Sequence, residues 1–223
     1  MEIIEVRPEL RMLRFPVGAA YLWRDGDELT LIDTGAADRA ADIEGALDGE
    51  LRRIVLTHWH QDHTGSAAEL AGRHGAEVVA HRREAPVIRG EAVGAPPVLE
   101  PFEVPIWEAL PPLPPAPPCR VDREVEDGEV LAFGGGAVVV AVPGHTDGSI
   151  ALHLPGPRVL FTGDAVANVG RTMLGVFNTD RLRAVESLHR LAGLAADTVV
   201  FGHGDPILRG AATALREAAA EAG

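Results

Sequence analysis

Short apolar runs alternate with turn signals over the first thirty-five residues. "MEIIEVRP", "RMLRFP" and "AAYLWRDGDELTLIDTG" read as successive strands, with Asp25 to Asp27 as the hairpin turn inside the last stretch. "AADRAADIEGAL" has helical spacing, and "RRIVLTH" reads as a buried strand. "TGSAAELAGRHG" predicts a helix with Thr64 as its N-cap and Gly75 as its stop. "AEVVAH" is another short strand, and "HRREAPVIRG" opens with a helical turn before Pro86 restricts it. The second half repeats the theme. "VDREVEDGEVLAF", "GAVVVAVPG", "GSIALHLPG" and "RVLFTGDA" are strands. "NTDRLRAVESLHRLAGL" is an amphipathic helix with Leu182, Val185, Leu188 and Leu191 on one face. "DTVVFGHGD" is a strand with its exit loop, and "LRGAATALREAAAEAG" is a last helix.

Strands then helices, and then the same again, predict an α+β chain of two halves whose sheets pack together with helices outside. We expect one domain over residues 1–223. Between Ala95 and Pro118 lie ten of the seventeen prolines, with almost no periodicity. That stretch is an extended or irregular crossing. It joins the two halves, as a linker or as a loop that overhangs a substrate pocket.

Composition narrows the partners. The formal charge is −13, with twenty arginines and no lysine. Such a charge repels nucleic-acid backbones and anionic membranes, so neither is expected as a partner. No apolar run reaches the roughly eighteen residues that span a bilayer. Glu2 and Glu5 stand where a signal peptide carries positive charge, so a cytoplasmic protein is expected. Cys119 is the only cysteine and has no His or Cys beside it, which excludes an intramolecular disulfide. Oligomeric state is not encoded in any of these features.

Chemistry concentrates in "IVLTHWHQDHTG". His58 and His60 are two apart in extended chain just past a strand, so both side chains point the same way. Asp62 and His63 follow as the chain turns into the helix. Imidazole nitrogen and carboxylate oxygen suit zinc and related divalent ions. Four ligands in six residues are too many for one ion, whereas two ions close together would use them. His145 in "PGHTDG", Asp164 in "TGDA" and His203 in "GHGD" each follow an apolar strand, as His58 does. Strands lying side by side would gather these exit loops at one edge. Two ions about 3.5 Å apart can share a carboxylate and a hydroxide. Asp33 also ends a strand and could cap the following turn. His74, His81, His153 and His189 read as solvated side chains.

"LIDTG", "THWHQDHTG", "PGHTDGS", "LFTGDA" and "FGHGD" together closely resemble the metallo-β-lactamase superfamily, and the resemblance spans almost the whole chain. It implies a four-layer αββα sandwich with the metals at one edge between the sheets. By residue match His58, His60 and His145 would hold the first metal. Asp62, His63 and His203 would hold the second, Asp164 would bridge them, and Asp33 would orient ligands by hydrogen bonding. The cofactor implied is a pair of divalent ions, zinc first, with iron or manganese as alternatives. The activity implied is hydrolysis of an ester-like bond in a small molecule (a lactone, thioester or related carbonyl) by a metal-bridging hydroxide, with Asp62 and Asp164 as catalytic carboxylates.

Departures from the family's subgroups shape the expectation further. His63 and Asp164 argue against the β-lactamase subclasses. His60 argues against the flavin-partnered iron members, which carry Glu there. The chain ends soon after "GHGD" with one helix, which argues against glyoxalase II. The lactonases' Tyr after the bridging aspartate is missing, since Tyr21 is the only tyrosine. An iron-dependent persulfide-dioxygenase-like oxidoreductase and a phosphodiesterase are the alternatives. The segment from Ala165 to Thr179 is expected to line the pocket, with Trp59, Arg171 and Phe177 as candidate substrate contacts and Met173, Leu174 and Val176 as further apolar wall.

Overall fold

The computed structural model describes the whole chain, residues 1–223. Its first sheet has seven strands in sequence order: β1 (Glu2–Arg7), β2 (Leu10–Arg14), β3 (Ala19–Asp25), β4 (Glu28–Ile32), β5 (Glu50–Leu56), β6 (Glu77–His81) and β7 (Arg123–Val125). The first four form an antiparallel meander, and β4 to β7 run parallel. Parallel neighbours need a crossover. These are α1 (Ala40–Glu44), then α2 (Gln61–Thr64) with α3 (Ala67–His74), then a long passage that includes α4 (Ala85–Ile88) and α5 (Val104–Glu108).

The second sheet contains β8 (Val130–Leu131), β9 (Ala137–Ala141), β10 (Ile150–Leu154), β11 (Val159–Phe161) and β14 (Thr198–Val200), in the order β14-β11-β10-β9-β8. A separate hairpin, β12 (Val166–Val169) with β13 (Arg171–Leu174), precedes α6 (Arg181–Ala192). That helix carries the chain back to β14, which pairs parallel with β11, and α7 (Ala211–Ala222) follows.

Period-two alternation within single strands builds the layers. In β5, Ile54 and Leu56 face outward under α1, α3 and α4, where they meet Ile43, Leu70 and Ile88. Val55 between them faces inward, with Tyr21, Trp23 and Ile32 of the same sheet and Leu152, Leu154, Val159 and Phe161 of the other. The second sheet sends Ala151, Leu160 and Val199 outward to Leu188, Leu191, Leu215 and Ala218 of α6 and α7. Three apolar interfaces therefore separate four layers, helix–sheet–sheet–helix. No helix is long and apolar enough to cross a membrane.

Several elements differ from the pattern-based expectation. The proline-rich crossing leaves β6 and returns to β7, so it lies within one sheet and does not join the halves. The sheets are joined by the short turn after β7, where Gly128 takes a left-handed φ of +80°. Thr64 ends the single turn α2, and α3 begins only after Ser66. Pro86 lies in the first turn of α4, where its missing N–H leaves no helical bond unmade. Leu182 is 80% exposed, and the buried face of α6 runs through Ala184, Leu188, Leu191 and Ala192.

The inter-sheet core carries the stability of this arrangement. Phe161 is fully buried there and packs edge-on to Tyr21 at a centroid separation of 5.7 Å. Phe161→Ala is expected to lower the unfolding free energy by about 3–5 kcal/mol in chemical denaturation, with the midpoint moving and the slope holding.

Candidate metal centre

The parallel strands deliver their carboxyl ends to one edge, and the polar residues of the motifs lie just beyond those ends. Asp33 follows β4 with φ +60°, a left-handed conformation that Asp tolerates better than most side chains. Its backbone N–H donates to Val55 O at 2.9 Å, which fixes it to the neighbouring strand. Its carboxylate accepts three hydrogen bonds: Oδ1 from Thr57 N, and Oδ2 from Thr57 Oγ1 and His63 Nδ1, each at 2.8 Å. The Thr57 hydroxyl donates its hydrogen to Asp33, so its oxygen accepts from His58 Nδ1 at 3.0 Å. His145 Nδ1 donates to Val176 O at 3.1 Å. With Nδ1 engaged on all three rings, His58, His63 and His145 turn Nε2 toward the same interior point, where each neutral ring would offer its lone pair.

Seven side chains converge there. His60 Nδ1 lies 3.0 Å from both His58 Nε2 and His145 Nε2. Asp164 Oδ2 is 3.6 Å from His145 Nε2 and 3.9 Å from His58 Nε2. On its other side it is 3.2 Å from His203 Nε2, while Asp164 Oδ1 is 3.3 Å from His63 Nε2. Asp62 Oδ2 is 3.3 Å from His203 Nε2 and 3.6 Å from His63 Nε2. Groupings with metal-ligand spacing are His58, His60 and His145; His58, His63 and Asp164; and Asp62, His63 and His203. Gly202 is part of this construction, because a Cβ there would collide with Asp164 Oδ1.

The donor set fits a divalent cation. His63 Nε2 and Asp164 Oδ1 are buried and face each other at 3.3 Å without a well-formed hydrogen bond to any group. Orphaned buried polar atoms of this kind are rare and costly. Charges distribute unevenly without a cation. Burial opposes the charge on His63, but Asp164, Asp62 and Asp33 outweigh it and hold its pKa well above the usual value. Asp164 pushes His203 up to about 10. Burial pulls His58 well down and takes His60, crowded by His145, to about 3. Burial favours a neutral Asp164, but His203 and His63 hold its pKa well below the usual range. The same competition leaves Asp62 at about 2, with His63 the larger of the lowering partners.

Other polar residues support this cluster without entering it. Glu84 is buried; its Oε2 accepts from Trp59 N at 2.8 Å, and its Oε1 accepts from Gly148 N at 2.8 Å and Thr146 Oγ1 at 3.0 Å. It thereby ties the His58–His60 loop to the His145 loop across the two sheets, and burial pushes its pKa up to about 7. Tyr21 Oη donates to Phe201 O at 2.6 Å and accepts from Phe201 N, anchoring the strand that leads to His203. Thr57, Glu84 and Tyr21 carry no motif; only their partners, far off in sequence, reveal what they do. Of the histidines set aside, His74 faces Glu44, His153 faces Ala195 O and His81 accepts from Arg83 N. Cys119 is buried with its thiol pushed up to about 11 by that burial, away from the cluster.

A cavity of about 680 Å³ opens onto His60, Asp62, His145, Asp164 and His203. Trp59 and Phe177 line it. Arg171 does not. The β12–β13 hairpin carries it to the α7 side, where it pairs with Glu221 at 2.9 Å and stays exposed. Leu174 packs into the core under α6 and α7, and neither Met173 nor Val176 reaches the cavity. The crossing supplies the wall in their place: twelve of the 25 lining residues lie between Gly94 and Pro118.

Comparison with known proteins agrees with this geometry. Residues 13–203 match the family model described as the metallo-beta-lactamase superfamily, and the chain belongs to that superfamily. It is 32% identical over 176 residues to a probable metallo-hydrolase, YflN, of Bacillus subtilis (strain 168), covering 71% of this chain and 66% of that one. It is 34% identical over 196 residues to a hydroxyacylglutathione hydrolase of Ruegeria pomeroyi, covering 82% of this chain and 61% of the relative. The chain thus spans less than two-thirds of the length of these relatives. Among solved structures, a metallo-beta-lactamase family protein of Thermus thermophilus superposes with a TM-score of 0.68 at 26% identity, covering 97% of this chain and 78% of that one. A metallo-beta-lactamase of Cronobacter sakazakii superposes at 0.71 and 24% identity, covering 92% and 81%, which shows the shared αββα sandwich.

Two outcomes follow from the cluster. Near neutral pH the metal-free protein keeps His63 and His203 protonated, because both pKa values are raised, whereas metal ligation needs neutral rings. Zinc uptake is therefore expected to release about two protons and to strengthen as pH rises. Calorimetry in buffers of different ionisation enthalpy reads this directly, and a buffer-independent heat would contradict it. Asp33→Ala leaves His58 and His63 free to rotate and is expected to weaken zinc affinity by about 10- to 100-fold, read by competition with a chromogenic chelator.

Proposed function

We propose that this protein is a metal-dependent hydrolase that cleaves an ester or thioester bond in a small molecule. One observation carries the reading. Two three-residue ligand sets, His58/His60/His145 and Asp62/His63/His203, flank Asp164 at the end of a cavity large enough for a small organic substrate. In this reading His58, His60 and His145 hold one divalent ion, Asp62, His63 and His203 hold a second, and Asp164 lies between them. When bound, a pair of such ions lowers the pKa of water and polarises a carbonyl.

The chain's own residues do the rest. Asp33, through Thr57 and His63, keeps ring lone pairs aimed inward. Asp62 lines the cavity and stays ionised, so its carboxylate accepts the hydrogen bond of an attacking water and orients it. Water adds to the acyl carbon, the bond from that carbon to oxygen or sulfur breaks, and the leaving group departs with a proton as an alcohol or thiol. The acyl half leaves as a carboxylic acid. No serine or cysteine lines the cavity, so water is left as the nucleophile. The hydroxyacylglutathione hydrolases among the relatives support a thioester or ester in this role. A phosphodiester receives less support, because no arginine lines the cavity to take its charge.

Purified protein is expected to carry about two equivalents of metal per chain and to hydrolyse members of a panel of lactones, esters and thioesters. Chelation should abolish turnover, and zinc should restore it. Asp164→Ala should abolish both turnover and stoichiometric metal binding. Turnover confined to phosphodiesters, or full turnover in the chelated protein, would overturn the assignment.

A further inference from the structure

The proline-rich crossing is pinned at three places to the rim of the metal centre. Glu103 is 1% exposed although it is a carboxylate. Its Oε2 accepts from Glu100 N at 2.9 Å, and its Oε1 accepts from Phe177 N at 2.9 Å, on the segment after the β12–β13 hairpin. Nearby, Val98 N donates to Asn178 O at 2.9 Å. Trp107 of α5 packs edge-on to Phe177, ring centroids 5.1 Å apart. At the start of the crossing Gly94 lies flat on the Trp59 indole, so closely that a Cβ would collide with the ring. At its end Cys119 N donates to Ile88 O at 2.9 Å. Phe177 itself holds a φ of +62°, a strained conformation that the Glu103 bond to its N–H helps to maintain.

The wall fixed in this way has a definite chemistry. Beyond the metal-centre residues, the lining is proline, leucine, valine, isoleucine and aromatic rings with few polar groups, and no arginine reaches it. The chain has no lysine anywhere. A carboxylate carried several bonds from the scissile carbonyl would lie against Leu110, Leu113 or the prolines, whose side chains offer no cation or donor. Burying an unpaired charge in such surroundings is strongly unfavourable. The formal charge of −13 adds a long-range field that disfavours anions on approach. An uncharged acyl chain or leaving group would instead exchange water for apolar contact along the whole wall.

We infer that residues 94–118, latched to Phe177 by Glu103, form a fixed substrate wall that selects uncharged apolar esters or thioesters and rejects conjugates of anionic thiols such as glutathione. Glu103 is a positioning residue here, since it holds the wall and touches no reacting atom. The inference rests on the hydrolase reading above, and the bond cleaved is the same.

The test uses the full-length zinc-loaded protein and matched thioesters with one acyl group on two thiols, glutathione and the uncharged N-acetylcysteamine, together with aryl esters of rising acyl length. The uncharged thioester is expected to show kcat/KM at least about tenfold above the glutathione conjugate, and the ester series is expected to improve with chain length. Preference for the glutathione conjugate would overturn the inference while leaving the hydrolase reading intact. Absence of turnover on every ester and thioester would sink the hydrolase reading itself. Glu103→Ala, checked for stoichiometric zinc and a native circular dichroism spectrum, should raise KM for the longest ester about tenfold while kcat changes much less. An unchanged KM in that folded variant would show that Glu103 holds no substrate wall.

Discussion

Everything at this site depends on one electrostatic constraint: five imidazoles and two carboxylates are pointed at one another inside a protein. Their donor atoms lie 3.0–3.9 Å apart. Three of the rings are fixed as the tautomer whose outward N–H is already engaged by Asp33, Thr57 or Val176 O. What remains inward is the second nitrogen of each ring and two carboxylates, with His63 Nε2 and Asp164 Oδ1 lacking a well-formed hydrogen bond. A divalent cation would turn this arrangement from a liability into a bonded centre, and its binding energy would then also stabilise the fold.

The scaffold holds that arrangement because its residues come from both sheets. Asp33, His58, His60, Asp62 and His63 follow β4 and β5, whereas His145, Asp164 and His203 follow β9, β11 and β14. Relative movement of the sheets would pull the donor set apart. The apolar layer between them resists such movement, and so do two polar ties at the rim, Tyr21 to Phe201 and Glu84 to Thr146 and Gly148. Interior packing is stiff enough to hold side-chain positions. The same rim carries the substrate wall, so fold, metal centre and cavity share one edge.

The seven clustered side chains were legible in the sequence for a local reason. Each follows an apolar strand, and the strand pattern predicts that their exits gather. Two packed halves with helices outside were legible too, from the repeated order of strands then helices, and the family resemblance implied the αββα layering. The supporting residues were not. Thr57 bonds a partner 24 residues away, Glu84 one 62 away, Glu103 one 74 away and Tyr21 one 180 away. In sequence a lone Glu is indistinguishable from a solvated one, and only folding shows that Glu84 and Glu103 are buried. Arg171 misled because a short hairpin reads as loop when its strands have four residues each, and the hairpin turns that side chain toward α7. The crossing misled because composition does not say which strands a segment connects. A parallel β6–β7 pair requires a long return, and the proline-rich passage supplies it.

The central claim is that these seven side chains hold two ions with Asp164 between them. Anomalous diffraction from crystals of the zinc-loaded protein, collected on both sides of the zinc edge, tests it most directly. The account predicts two peaks about 3.5–4 Å apart, one bounded by His58, His60 and His145 and the other by Asp62, His63 and His203, with Asp164 in contact with both. A single peak at full zinc loading, or peaks away from Asp164, would contradict it.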